Sequence, residues 1–114
     1  MRLAVIGHVE HVTLGRVPAV PRPGDIAHLE SPRWFPGGGG GVAFFQLTRS
    51  GAEVLLYTAV GRDEAGAQVL ERVSRSGARV FAARRAQQHT RDVVAQESAR
   101  RRARYGRRRP PRPP

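Results

Sequence analysis

Five consecutive glycines, Gly37 to Gly41, stand between Pro36 and the apolar run Val42-Ala43-Phe44-Phe45-Gln46-Leu47, and no other stretch restricts this chain's fold as much. Glycine loses more backbone freedom on ordering than any other residue. Such a run is therefore expected to serve not packing but a place where bare backbone approaches a partner, or where several amides face one ligand. The spacing of Ala43, Phe44 and Leu47 predicts a helix over 42–50. A glycine loop that feeds a helix N-terminus suits an anion or a polyhydroxyl ligand. A flexible hinge, or compositional bias in a chain rich in Gly, Ala and Arg, is the competing reading of the same residues.

The flanks give the loop a setting. Leu3-Ala4-Val5-Ile6 is a short apolar run closed by Gly7, which predicts a strand buried on both faces and central in a parallel sheet. His8-Val9-Glu10-His11-Val12 follows, where ligands gather in open α/β sheets, beyond the carboxyl ends of the strands. Glu10 is thus a candidate ligand-facing group, with a solvated loop acid as the alternative. Pro18, Pro21, Pro23, Pro32 and Pro36 exclude a long helix over 13–36. Val12-Thr13-Leu14 and Ile26-Ala27-His28-Leu29 fit short strands of a small antiparallel flap outside the main sheet. Trp34 and Phe35 are read as packing for that flap, with an aromatic platform for a sugar as the second reading.

Downstream the signals are regular. Gly51 stands where a left-handed helix cap belongs. Glu53 to Gly61 is the strongest strand of the chain, and Asp63 is placed to cap a following helix. Ala65, Val69 and Val73 form one stripe of that helix, which ends near residue 76 before Gly77, and 78–83 is a third strand. Strand, helix, strand at this spacing predicts an α/β fold built on a parallel βαβαβ unit.

Composition narrows the rest. The 114 residues allow one domain, and the net charge of +11 is concentrated at one end. Residues 1–83 hold 9 Arg against 7 acids, whereas 84–114 hold 11 Arg against Asp92 and Glu97. With no periodic apolar face, 84–114 is expected to be a disordered Arg/Pro-rich tail. There is no Lys, which excludes a P-loop, and no Cys, which excludes disulfides and thiolate metal sites. No apolar run is long enough to span a membrane or serve as a signal peptide, so a cytoplasmic protein with no membrane partner is expected. Gly38, Gly40 and Ala43 satisfy a dinucleotide-binding spacing, but the first strand leads into His8 and not into that loop. His8, Glu10 and His11 lack metal-ligand spacing, and no Ser-His-Asp arrangement can be assembled.

Three segments together resemble the N-terminal part of the ribokinase-like (PfkB-type) carbohydrate kinase family. Pro21-Arg22-Pro23-Gly24-Asp25 is similar to the family's Pro-x-Pro-Gly-Glu. Gly37 to Val42 is similar to Gly-Gly-x-Gly-Ala-Asn, and Gly61-Arg62-Asp63-Glu64-Ala65-Gly66 to Gly-x-Asp-x-x-Gly. The resemblance covers 2–83 and implies a partial ribokinase-like fold, with residues 1–83 as the front part of the kinase domain. It implies ATP- and Mg2+-dependent phosphorylation of a sugar or nucleoside by the intact family, and pairing of two copies through the flap. It places substrate contacts at Glu10 and at Gly37, Gly38, Gly39, Gly40 and Gly41, with no catalytic, cofactor-binding or metal-binding residue in this chain. Val12 and Val42 replace an Asp and an Asn of the family pattern, and valine neither donates nor accepts a hydrogen bond. The Gly-Ala-Gly-Asp motif that carries the family's catalytic base has no counterpart here, so neither ATP nor Mg2+ is expected to bind well. A truncated or frameshifted remnant after about residue 84 is the favoured account of the tail. A small basic nucleic-acid-binding protein acting through the Arg-rich tail, residues 84–114, is the alternative function.

Overall fold

The computed structural model describes residues 1–98. The elements follow one another as β1 (Arg2–Ile6), β2 (Glu10–Val17), β3 (Glu30–Gly37), α1 (Gly38–Thr48), β4 (Glu53–Gly61), α2 (Glu64–Ser74), β5 (Arg79–Arg85) and β6 (Asp92–Ser98). They form two three-stranded sheets. The first is parallel, in the order β1-β4-β5, with Val5 opposite Leu56 and Leu56 opposite Val80. The second has the order β3-β2-β6, antiparallel between β2 and β3 and parallel between β2 and β6.

The core lies between the parallel sheet and its two helices. Val5, Leu56 and Val60 turn one strand face toward Phe44 of α1 and Val69 and Val73 of α2, and these six side chains belong to one buried cluster. The Val69–Val73 stripe expected from four-residue spacing is fully buried. The opposite face of the sheet is bare among the described residues. Tyr57 and Phe81 stack on it with ring centroids 4.8 Å apart, and Ile6 is exposed beside them. Parallel sheets ordinarily carry cover on both faces, so this face marks the described fold as partial.

Several expectations need correction. The β1 strand is neither central nor buried on both sides: among the described residues it forms the edge of its sheet, β4 takes the middle, and of its five residues only Val5 is buried. The helix expected from residue 42 begins at Gly38, so four of the five glycines are its first turn. The second flap strand is 30–37, not 26–29, and it contains Pro32 and Pro36. Its edge position explains why it tolerates them, since an edge strand has one side with no ladder bond to lose. Residues 84–98, expected in the tail, complete β5, turn, and pair as β6 along the whole length from His11–Asp92 to Val17–Ser98. The part of the proposed nucleic-acid arm that carries the Arg-rich blocks, Arg100 to Pro114, lies outside the described residues.

Candidate functional site

The glycine run divides into two parts with different surroundings. Gly40 and Gly41 are buried where α1 crosses the end of β1. A Cβ on Gly40 would sit 2.7 Å from the Gly7 carbonyl carbon and 2.7 Å from His8 O, and the Gly40 amide donates to His8 O at 3.0 Å. A Cβ on Gly41 would press on the Val9 side chain at 3.3 Å, and one on Gly37 would overlap Val12. The sequence argument that bare backbone is needed for close approach holds for Gly40, but what approaches is the chain's own backbone. The expectation that the run has no packing role is overturned here.

Gly38 and Gly39 are more open. Gly38 takes φ +77°, a left-handed conformation that disfavours a side chain. A Cβ there would meet His8 and, at 3.1 Å, Glu10 Cγ. The Gly39 amide points at His8 Nε2, 3.4 Å away. Of the six residues expected to contact substrate, Glu10, Gly38 and Gly39 therefore meet around His8, whereas Gly37, Gly40 and Gly41 are buried. Val12 is buried against Gly37, and Val42 is half exposed on α1.

Glu10 is not a free acceptor. Its side chain is 15% exposed, and Oε1 accepts from Arg91 Nη1 at 3.1 Å and lies 3.4 Å from His8 Nε2. Arg91 belongs to the turn between β5 and β6. That turn, with His8, Val60, Gly61 and Arg85, lines a cleft of about 450 Å³ at the carboxyl ends of β1, β4 and β5. A larger depression of about 680 Å³ lies over the bare sheet face among Ile6, Tyr57, Ala59 and Phe81. It is mostly apolar and suits a polyol less well.

The cleft wall is fastened by Asp63, the cap of α2. Its carboxylate accepts from Gly66 N at 2.8 Å, Thr90 N at 2.7 Å and Thr90 Oγ1 at 2.7 Å, while Thr90 Oγ1 accepts from Gly61 N at 2.9 Å. The Thr90 hydroxyl, then the Thr90 and Gly66 amides, hold the Asp63 carboxyl down to about 2. A second polar joint lies between the flap and α2. His11 is bonded to Asp92 Oδ1 through Nδ1 and to Gln68 Oε1 through Nε2, and its ring stacks on Trp34 at 4.7 Å. Trp34 therefore packs the flap, as read from the sequence, and the Arg72 guanidinium lies 5.1 Å from its ring centre.

Arg85, Thr90 and Arg91 were missed as site residues because everything after residue 83 was placed in a tail, and His8 because it was weighed only as a metal ligand. The signal that could have found the first three is Val93-Val94, a β-branched pair that marks a strand and makes 86–91 a loop between strand ends, with Arg85 at its start.

No protein-family model and no curated protein matches the sequence. Solved structures do resemble the fold. Ribokinase from Giardia lamblia is similar with a TM-score of 0.78 at 17% identity, over 87% of this chain and 33% of that one. Ribokinase from Cryptococcus neoformans var. grubii serotype A, solved in complex with ADP, gives 0.69 at 27% identity, over 87% and 31%. A nucleoside kinase from Methanocaldococcus jannaschii, an archaeal member of the ribokinase family, gives 0.70 at 16%, over 87% and 33%. The chain thus spans about a third of the length of the structures it matches. The parallel sheet, the glycine-started helix and the flap together make this chain a partial ribokinase-like fold of the kind found in the PfkB carbohydrate kinases.

Proposed function

We propose that this chain contributes the substrate-facing part of a ribokinase-like kinase fold, holding a sugar or nucleoside without transferring phosphate by itself. The observation that carries this is the meeting of Glu10 with Gly38 and Gly39, the less buried part of the glycine run, around His8 at the carboxyl end of β1. Amides without side chains can approach the hydroxyls of a polyol closely, and a carboxylate accepts from them. Phosphoryl transfer needs a positioned base and charge neutralisation around an in-line nucleophile. Among the described residues no three His, Asp or Glu side chains converge to hold a metal ion, so no step through magnesium or ATP is assigned to this chain.

Two results are expected from the purified 114-residue chain. D-Ribose should move the amide NMR signals of Gly38, Gly39 and Glu10, and Glu10→Gln should weaken that response about tenfold, the scale of one charge-assisted hydrogen bond. Incubation with ribose, ATP and Mg2+ should release no ADP above the protein-free control. An unmoved glycine region would refute the binding half of the proposal, and sugar-dependent ADP release the other half.

A further inference from the structure

The register of the parallel sheet lays out its bare face row by row. Side chains two apart on a strand share a face, and the partners Ile6–Tyr57 and Tyr57–Phe81 put one apolar row across all three strands. Ile6 is 84% exposed, Tyr57 41% and Phe81 46%. Ala59 opposite Ala83 forms the next row toward the carboxyl ends. Small side chains beside two aromatic rings leave a trough, the depression of about 680 Å³ already described. The Tyr57 and Phe81 rings are held by their mutual stacking, so covering them costs little side-chain freedom. Charge on this face is one-sided. Arg79 and Arg85 share the Phe81 face of β5, stand exposed at its two ends, and take part in no ion pair among the described residues. Arg85 donates only to the neutral Gln88, whereas Arg2 on the β1 side is paired with Glu53 at 3.1 Å.

Parallel sheets are covered by helices, as α1 and α2 cover the other face here. A second copy of this chain would bring the same arginines toward Arg79 and Arg85, and its one acid on this face, Glu53, is held by Arg2. Residues 99–114, with eight Arg and no Asp or Glu, would also set like charge against like. We infer that this face is a docking surface for an amphipathic helix of a separate protein, with its apolar stripe on Ile6, Tyr57 and Phe81 and its acidic flank along Arg79 and Arg85. The two arginines are six residues apart on β5, a span of about 20 Å. That span equals about 13 residues of helix, so the partner's acids stand roughly three to four turns apart on one side of its stripe. The surface shares no residue with the Glu10, Gly38 and Gly39 contacts, so the polyol reading stands or falls apart from it.

Fluorescence anisotropy of labelled synthetic helices against the full chain, at about 150 mM salt to screen general attraction, separates the outcomes. One peptide of about 18 residues, long enough for the acid spacing, carries a leucine stripe flanked by Glu. A second has Lys for Glu, and a third scrambles the first so that the stripe is lost. The Glu peptide should bind about tenfold or more tightly than either of the others, the scale of two exposed ion pairs. Phe81→Ser, with circular dichroism unchanged, should weaken it about tenfold or more. The double variant Arg79→Glu/Arg85→Glu should favour the Lys peptide instead, and it decides the matter where Phe81→Ser alters the circular dichroism. A scrambled peptide as tight as the Glu peptide shows only attraction to a basic chain and overturns the inference. An unchanged preference in the double variant, or no binding of the Glu peptide, also overturns it. So does a dimer in sedimentation that Phe81→Ser abolishes, because a second copy is then the occupant.

Discussion

Replacing Asp63 by Ala should lower stability by about 3 kcal/mol. Loss of an N-cap costs about 1 kcal/mol, and leaving a buried donor unpaired adds roughly 1–3 kcal/mol. Asp63 is both things at once. It caps α2 through Gly66 N, and it receives the amide and hydroxyl of Thr90, a residue 7% exposed. In a domain of this size about 1 kcal/mol moves the melting temperature by roughly 4–8 °C, so a thermal melt would show the loss plainly. Asp63→Asn should do better than Ala but worse than wild type. Its single oxygen can still cap Gly66, yet its amide group meets the Thr90 N–H donor to donor.

The same carboxylate sets an acid dependence. Its value is lowered from 3.8 to about 2 in the folded chain, chiefly by the Thr90 hydroxyl and amide. A depressed carboxyl contributes stability that is complete above its unfolded value and is lost as pH falls through the folded one. The wild-type chain should therefore lose stability between about pH 4 and 2, and Asp63→Asn should lose correspondingly less over that interval. An identical acid slope in the two proteins would show that Thr90 is not bonded as described.

The second large effect belongs to the glycine run, and it separates neighbours. Gly40→Ala should destabilise by at least about 2 kcal/mol, because overpacking against well-packed surroundings costs roughly 1–3 kcal/mol and here the obstacle is main chain. The new methyl would stand 2.7 Å from the Gly7 carbonyl carbon and from His8 O, and neither can rotate away. That loss exceeds the gain of up to about 1 kcal/mol that alanine brings to a helix. Gly39→Ala, one residue earlier, meets nothing nearer than His8 Cε1 at 3.6 Å and should be neutral or stabilising by up to about 1 kcal/mol. Chemical denaturation of the two variants side by side checks the contrast. Equal effects would show that α1 does not rest on the end of β1.

What could be read in advance was local. The Asp63 cap, the Val69–Val73 stripe, the β4 run, the left-handed Gly51 and the end of α2 before Gly77 each announce themselves within a few residues, and all appear in the structure. What could not be read depends on distant partners. Helix α1 starts inside the glycines because Gly40 is seated on Gly7 and His8, more than thirty residues away in sequence, and that contact outweighs the poor helix propensity of glycine. Strand β6 carries only the short signal of Val93-Val94, and it forms where β2 offers it an edge for seven residues. The site divides along the same line. Glu10 and the open glycines could be proposed from motif similarity, whereas Arg91 is drawn to Glu10 only once β6 is in place.

The contact between the two backbones at Gly7 and Gly40 is the joint on which the sheet, the helix and the candidate site all depend. Nuclear Overhauser measurements on the labelled chain test it most directly. A strong cross-peak between the α-protons of Gly7 and Gly40, with the Gly40 amide protected from exchange by its bond to His8 O, is the expected result. A Gly40 amide that exchanges freely, with no cross-peak to Gly7 or His8, would contradict the account.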